Sequence, residues 1–252
     1  MIQAVRSQWP RAVLLVALAV LTGCGRAAPP PTTPYPGRPS RYEAPLVGAL
    51  IDQRVTDQTR AAVIREGASY GQCLAQLSAS RVTFSPVPNR TNSAVCGLKE
   101  GGVLGADMGT VARMAPGDVE MACQTALALS IWRRQVLEPA AREILGSDVV
   151  QIDHFGAYAC RNVNNGGVSN RVSAHAQAAA FDFSGVRLRD GRRITVLADW
   201  NGNGPGGAAG GRFMRRIRDD ACRIFGTTLS PDYNAVHRDH LHLEATNTQF
   251  CR

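Results

Sequence analysis

The segment His237-Arg238-Asp239-His240-Leu241-His242-Leu243-Glu244 constrains this chain more than any other. Successive side chains of an extended strand point to opposite faces, so His240, His242 and Glu244 share one face while Leu241 and Leu243 share the other. A final strand is therefore expected around His240 to Ala245, its leucines anchored in a core and its imidazoles projecting into a cleft. Histidine is rare, with five copies in 252 residues, and three of the five stand in this octet. Taken alone, such a strand suits a polar surface as well as a metal site. The choice between them rests on the rest of the chain.

The chain opens with MIQAVRSQWPRAVLLVALAVLTGC, in which Arg6 and Arg11 precede an apolar run from Ala12 to Leu21. That run has the shape of an export signal and falls short of the roughly 20 residues that span a bilayer. Leu21-Thr22-Gly23-Cys24 resembles the lipobox of bacterial lipoproteins, in which the cysteine is lipidated and becomes the first mature residue. The expectation is a signal peptide over 1–23, a lipidated Cys24 and a periplasmic location. Gly25 stands where an inner-membrane retention signal carries Asp, which directs the anchor to the outer membrane. The proline-rich stretch that follows cannot build a core, so 24–45 is expected to be an extended tether. Residues 46–252 read as one domain, since no second linker interrupts them and 44% of the chain is hydrophobic.

With Cys24 assigned to lipid, Cys73, Cys96, Cys123, Cys160, Cys222 and Cys251 remain. An even set in an oxidising compartment implies disulfides, and the wide spacing lacks the close CxxC pairs of a structural zinc site. Several connectivities are open; the expected one is Cys73–Cys96, Cys123–Cys160 and Cys222–Cys251. The second pair would pin the strand carrying Arg161 to a central helix. Lys+Arg 28 against Asp+Glu 20 gives a formal charge of +8. The arginines form no compact basic-aromatic cluster and the leader directs the chain to the envelope, so nucleic acid is not an expected partner. No specific protein partner is legible.

Helical spacing predicts a helix from about Gly67 to Leu77 and another, capped by Asp118, carrying Val119, Cys123, Ala126, Leu127, Ile131 and Trp132. Pro139 is expected to start or kink its continuation through Ile144. Short strands are predicted at Val82 to Phe84, Val149 to Ile152, Ala157 to Cys160 and Ile194 to Leu197, with His154 in a turn and Asn162 to Asn170 a polar loop. NGNGPGGAAGG reads as a flexible loop before a helix containing Phe213, Met214, Ile217, Ala221 and Phe225; it matches neither phosphate-binding glycine pattern. These elements predict an α+β fold, with N-terminal helices packed against a small, mainly antiparallel sheet carrying a cleft metal site.

Ser173-Ala174-His175-Ala176-Gln177-Ala178-Ala179-Ala180-Phe181-Asp182 resembles the SxHxxGxAxD motif of zinc D-alanyl-D-alanine carboxypeptidases and murein endopeptidases, whose superfamily includes lysostaphin-type peptidases and the hedgehog fold. The resemblance implies His175 and Asp182 as zinc ligands, with His242 of the HxxHxH segment as the third. It places His240 beside the reacting water and His237 at the outer cleft. Over roughly residues 70 to 252 the chain resembles the bacterial extensin-like C-terminal domain family more closely still. The shared features are Cys73, Cys96-Gly97, the Cys123 helix with Trp132, Tyr158-Ala159-Cys160-Arg161, Asp190-Gly191-Arg192, Trp200 and the terminal HRDHLHLE. By the same resemblance Arg161 binds a substrate carboxylate or carbonyl, while Ser173 and Glu244 support the ligands by hydrogen bonding. Two departures stand out: Ala178 occupies the glycine position, and Asp239 stands where many related peptidases carry glutamate.

One Zn2+ per domain, held by two neutral imidazoles and a carboxylate, would keep its Lewis acidity and a position for water of pKa lowered toward about 7. An imidazole such as His240 suits the proton transfer that follows. The expected function is zinc-dependent hydrolysis of peptide bonds in peptidoglycan stem peptides or cross-links, of the DD-carboxypeptidase or murein endopeptidase type, by a protein held to the membrane through its lipid anchor. The other reading is a non-catalytic, lipid-anchored peptidoglycan-binding or envelope-organising module.

Overall fold

The structure, a computed structural model, describes residues 48–163 and 171–252. The expected signal peptide, Cys24, the expected tether and most of the Asn162 to Asn170 loop lie outside the described residues. A 3-10 turn at Leu50–Asp52 leads to helices α1 (Thr59–Gly67) and α2 (Tyr70–Ala79). Strands β1 (Val82–Pro86), β2 (Arg90–Thr91), β3 (Gly97–Leu98), β4 (Gly101–Asp107), β5 (Arg113–Ala115) and β6 (Val119–Ala122) follow. Helix α3 (Cys123–Trp132) runs on through π-helical turns at Arg133–Leu137 and Ala141–Leu145, which flank α4 (Glu138–Ala140). Pro139 has no N–H for the preceding turn, and the helix widens on both sides of it. Next come β7 (Val149–His154), a 3-10 turn at Ala174–Gln177, β8 (Ala180–Leu188), β9 (Arg193–Thr195), α5 (Val196–Asp199) and α6 (Gly207–Ala221). The chain closes with β10 (Thr227–Leu229), a 3-10 turn at Ala235–His237, β11 (Leu241–Glu244) and β12 (Phe250–Cys251).

The fold is α+β, but its main sheet is larger than expected and mixed. Seven strands lie in the order β12-β10-β11-β8-β7-β5, with β9 added to β8. The β5–β7 and β10–β12 pairs are parallel and the others antiparallel. Strands β1, β4 and β6 form a separate antiparallel sheet. Every residue of α3 except Gln124 is buried, as a helix apolar on all sides must be. Its Trp132 ring meets Phe183 of β8 edge-on at 5.1 Å, and its indole N–H donates to the Ile217 carbonyl of α6 at 3.0 Å. One residue thus joins the central helix, the last helix and the central strand.

Several expectations are corrected. The helix predicted over Gly67 to Leu77 is α2, which starts at Tyr70 and runs to Ala79, and a helix not predicted, α1, precedes it and ends at Gly67. Asp118 caps nothing: its φ of 56° is left-handed, whereas a capping residue is extended, and Val119–Ala122 is strand β6. His154 belongs to β7 rather than to a turn. Ala157 to Cys160 is not a strand, because its neighbourhood bonds to the ligand-bearing segments instead, Ala159 N–H to His175 O and Asp182 N–H to Gly156 O. Val196–Asp199 is helical because the Thr195 hydroxyl accepts from Ala198 N–H. The glycine run is pinned: Gly206 N–H donates to buried Asp199, and a Cβ on Gly204 would lie 2.6 Å from that carboxylate.

The disulfides also differ. Cys73 joins Cys123, Cys96 joins Cys160, and Cys222 joins Cys251. The expected Cys73–Cys96 and Cys123–Cys160 pairs are replaced because α2 packs on the start of α3, bringing their cysteines to a Cα separation of 6.1 Å. The segment carrying Arg161 is therefore tied to the loop before β3, not to the central helix. Bonds closing 50, 64 and 29 residues restrict the unfolded chain by about 3–5 kcal/mol each in the chain-entropy account. Non-reducing peptide mapping should return these three pairs, and Cys73→Ser/Cys123→Ser should lower unfolding stability by about 2–4 kcal/mol. A Cys73–Cys96 peptide would contradict the α2–α3 packing.

Candidate metal centre

The site is assembled by the register of β11 on β8. Asp182 lies opposite His242, Phe183 opposite Leu241 and Phe181 opposite Leu243. The two leucines and two phenylalanines are wholly buried, so the alternation that sends them into the core turns Asp182 and His242 to the other face. His175 arrives from the 3-10 turn at Ala174–Gln177. Ser173 caps that turn, its hydroxyl accepting from His175 N–H at 3.4 Å. The turn closes at Ala178 in the left-handed region, φ 52°, the conformation for which glycine is best suited.

One ligand atom from each of His175, Asp182 and His242 lies within 4.8 Å of the others. His175 Nε2 is 3.1 Å from His242 Nδ1 and 3.1 Å from Asp182 Oδ2, and His242 Nδ1 is 2.9 Å from Asp182 Oδ1. The outer nitrogens decide which atoms carry protons. His175 Nδ1 is 3.0 Å from the Ala157 carbonyl, and His242 Nε2 is 2.9 Å from Glu244 Oε1. A carbonyl and a carboxylate only accept, so in the neutral rings those outer nitrogens hold the hydrogens. The inner nitrogens, His175 Nε2 and His242 Nδ1, then face the Asp182 carboxylate at 3.1 and 2.9 Å, where a shared proton or a metal ion can answer its charge. Such a set can coordinate a metal ion, and two imidazoles with one carboxylate are the donors a catalytic zinc site uses.

The neighbouring histidines follow the same rule. His240 Nδ1 donates to Asp239 Oδ1 at 2.9 Å, leaving Nε2 3.7 Å from Asp182 Oδ1. His237 Nδ1 donates to Asn234 Oδ1 at 2.7 Å, and that amide oxygen also accepts from Val236 N–H, which fixes its orientation. His237 and His240, with Arg161, Ser173 and Glu244, line one cleft of about 340 Å³ with His242. Every residue assigned to the site from the sequence is therefore brought to this cleft or to the cluster at its base. No residue of the glycine run at 201–211 is among the lining residues. Sequence reasoning missed Asn234 and the Ala157 carbonyl. An Asn three residues before a histidine is a readable signal; a backbone carbonyl has none.

Burial alone would raise the Asp182 carboxyl, but hydrogen bonds from His175 and His242 hold it far below the ordinary carboxylate range. Burial would lower His242, yet its bonds to Asp182 and Glu244 lift it to about 9. In the metal-free state a proton thus takes the cation's place. His237 is lowered to about 4, first by burial and then by the neighbouring histidines, so it is neutral at physiological pH.

Residues 71–252, more than half of the chain, match the model of the family described as extensin-like protein C-terminus. No curated protein and no solved structure matches the chain.

Elemental analysis of the protein should find about one zinc ion, lost in His242→Ala, and Glu244→Gln should weaken zinc binding about 10- to 100-fold. The pH dependence follows from His242. A raised pKa contributes stability that is complete below the unfolded value of about 6.5 and lost as pH rises to about 9. Tm of the metal-free protein should fall across that window. Zinc, which must displace this proton, should bind about tenfold tighter per pH unit over the same range. Zinc affinity that is flat with pH would contradict the assignment of protons.

Proposed function

The chain belongs to the extensin-like protein C-terminal family, and from that premise and the cluster of His175, Asp182 and His242 we propose that it is a zinc-dependent hydrolase of peptide bonds in peptidoglycan stem peptides or cross-links. In this reading it resembles D-alanyl-D-alanine carboxypeptidases and murein endopeptidases. It works in the periplasm, held to the outer membrane by lipid on Cys24. The observation that carries the proposal is the buried cluster of His175, Asp182 and His242, whose ligand atoms lie within 4.8 Å of one another, with His237 and His240 lining the cleft beside it.

When bound, the ion supplies Lewis acidity toward a carbonyl and acidifies water. The chain's own residues do the rest. Asp239 holds the Nδ1 proton of His240, so Nε2 is the atom that takes up a proton during attack and returns it to the leaving amine. His237, neutral and bare at Nε2, can receive a hydrogen bond from a substrate amide at the outer cleft. Arg161 lines the same cleft, and its fork of donors suits a peptide carboxylate. Glu244 and the Ala157 carbonyl hold the ligand rings in place.

Incubation of zinc-loaded protein with defined muropeptides, followed by mass spectrometry, tests the proposal. Loss of terminal D-alanine identifies a carboxypeptidase, and conversion of dimers to monomers an endopeptidase. His240→Ala should slow either reaction about 100-fold or more without loss of zinc. Neither product from zinc-loaded wild type, with saturable binding to sacculi that His240→Ala leaves intact, would replace hydrolysis by the binding-module reading.

A further inference from the structure

The sheet face that bears Asp182 and His242 continues past the cleft. Along β7 and β8 the inward residues are Ile152 and Val186, both wholly buried, with Ile194 beside them on β9. The alternate positions face outward. Register places Arg113 of β5 opposite Gln151 of β7, Gln151 opposite Arg187 of β8, and Arg187 opposite Arg193 of β9. Three exposed arginines and one glutamine thus cross four strands in a single row. Like charges facing one another across a strand pair oppose its formation. The nearest opposite charge is Asp153, which Arg193 meets at 2.8 Å and Gln151 at 2.6 Å. Among the described residues Arg113 and Arg187 have no ion-pair partner. The acidic groups at the strand ends are taken as well, Asp148 by Arg142 and Arg189, and Asp190 by Arg192.

The row and the metal cluster share this face because the register of β8 on β7 skips Ser184, which moves the outward set from Asp182 to Gly185 and Arg187. Arg187 stands five residues along β8 from Asp182, about 16 Å at roughly 3.3 Å per residue. We infer that this face is a docking track for an extended acidic peptide, whose near end lies in the metal cleft and whose carboxylate, about 16 Å away, pairs with Arg113 and Arg187. The inference rests on the proposed function for the position of the near end and adds the charge its substrate carries. Charge complementarity selects the occupant: two guanidinium groups without ion-pair partners on an exposed sheet face suit spaced carboxylates.

The test measures anisotropy of a fluorescein-labelled decapeptide of alternating alanine and glutamate against its glutamine counterpart, with the full chain at low salt. The acidic peptide should bind about tenfold tighter, and that advantage should fade as salt shortens the screening length. Arg113→Gln/Arg187→Gln should remove the advantage while zinc content and circular dichroism stay unchanged; Arg193 is retained because it partners Asp153. Arg54→Gln/Arg212→Gln, with the same charge loss elsewhere on the surface, should keep it. Equal binding of both peptides by wild type, or equal losses in the two double variants, would overturn the inference. So would binding to phosphatidylglycerol vesicles that depends on Arg113 and Arg187 without discrimination between the peptides, which would assign the row to a lipid surface. His242→Ala separates the two readings: it should lose zinc and hydrolysis yet keep the preference for the acidic peptide.

Discussion

The antiparallel contact between Asp182 of β8 and His242 of β11 is the constraint on which the site depends. A strand has a period of two, so a slip of one residue would drive both imidazoles into the core and lift Leu241 and Leu243 to the surface. The packing of those leucines with Phe181 and Phe183 therefore sets the position of the ligands, and Trp132 locks that packing to the helical layer. The core and the chemistry are two faces of the same strand pair.

A buried carboxylate among imidazoles is costly unless its charge is answered. Here the answer is built outward. Each ring is held by an oxygen from a different piece of backbone or side chain: Ala157 after β7, Glu244 on β11, Asp239 beside His240 and Asn234 ahead of the last 3-10 turn. The disulfide Cys96–Cys160 braces the segment between Ala157 and Arg161. Its loop partner lies in the first half of the domain, so oxidative folding of that half bears directly on the cleft. Disulfides and hydrogen bonds together hold His175, Asp182 and His242 facing one another.

Much of this was legible in the sequence, and for a physical reason. The HxH alternation puts His240, His242 and Glu244 on one strand face, and the resemblance of the Ser173 to Asp182 segment to a zinc-peptidase motif implies His175, Asp182 and His242 as ligands. The even set of cysteines spoke for disulfides in the same way. Helix α6 and the buried α3 were readable from their apolar positions. Strand β8 was not, since the register skip at Ser184 breaks the alternation of Phe181, Phe183, Val186 and Leu188 that would have marked it. Val119–Ala122 was absorbed into the following helix because its apolar residues fit either period.

What the sequence by itself determined is the late strand that sets His242 and Glu244 on one face and, through its family resemblance, the candidate ligands His175 and Asp182. Only the tertiary structure decided how those pieces meet. Disulfide pairing depended on α2 lying against the start of α3, a contact between residues 50 apart. The proton on each histidine depended on partners as distant as Ala157 from His175, and the arginine row depended on the register of four strands. Such choices are made when distant segments bury a common core, because backbone and side-chain partners are selected by packing and not by neighbours along the chain.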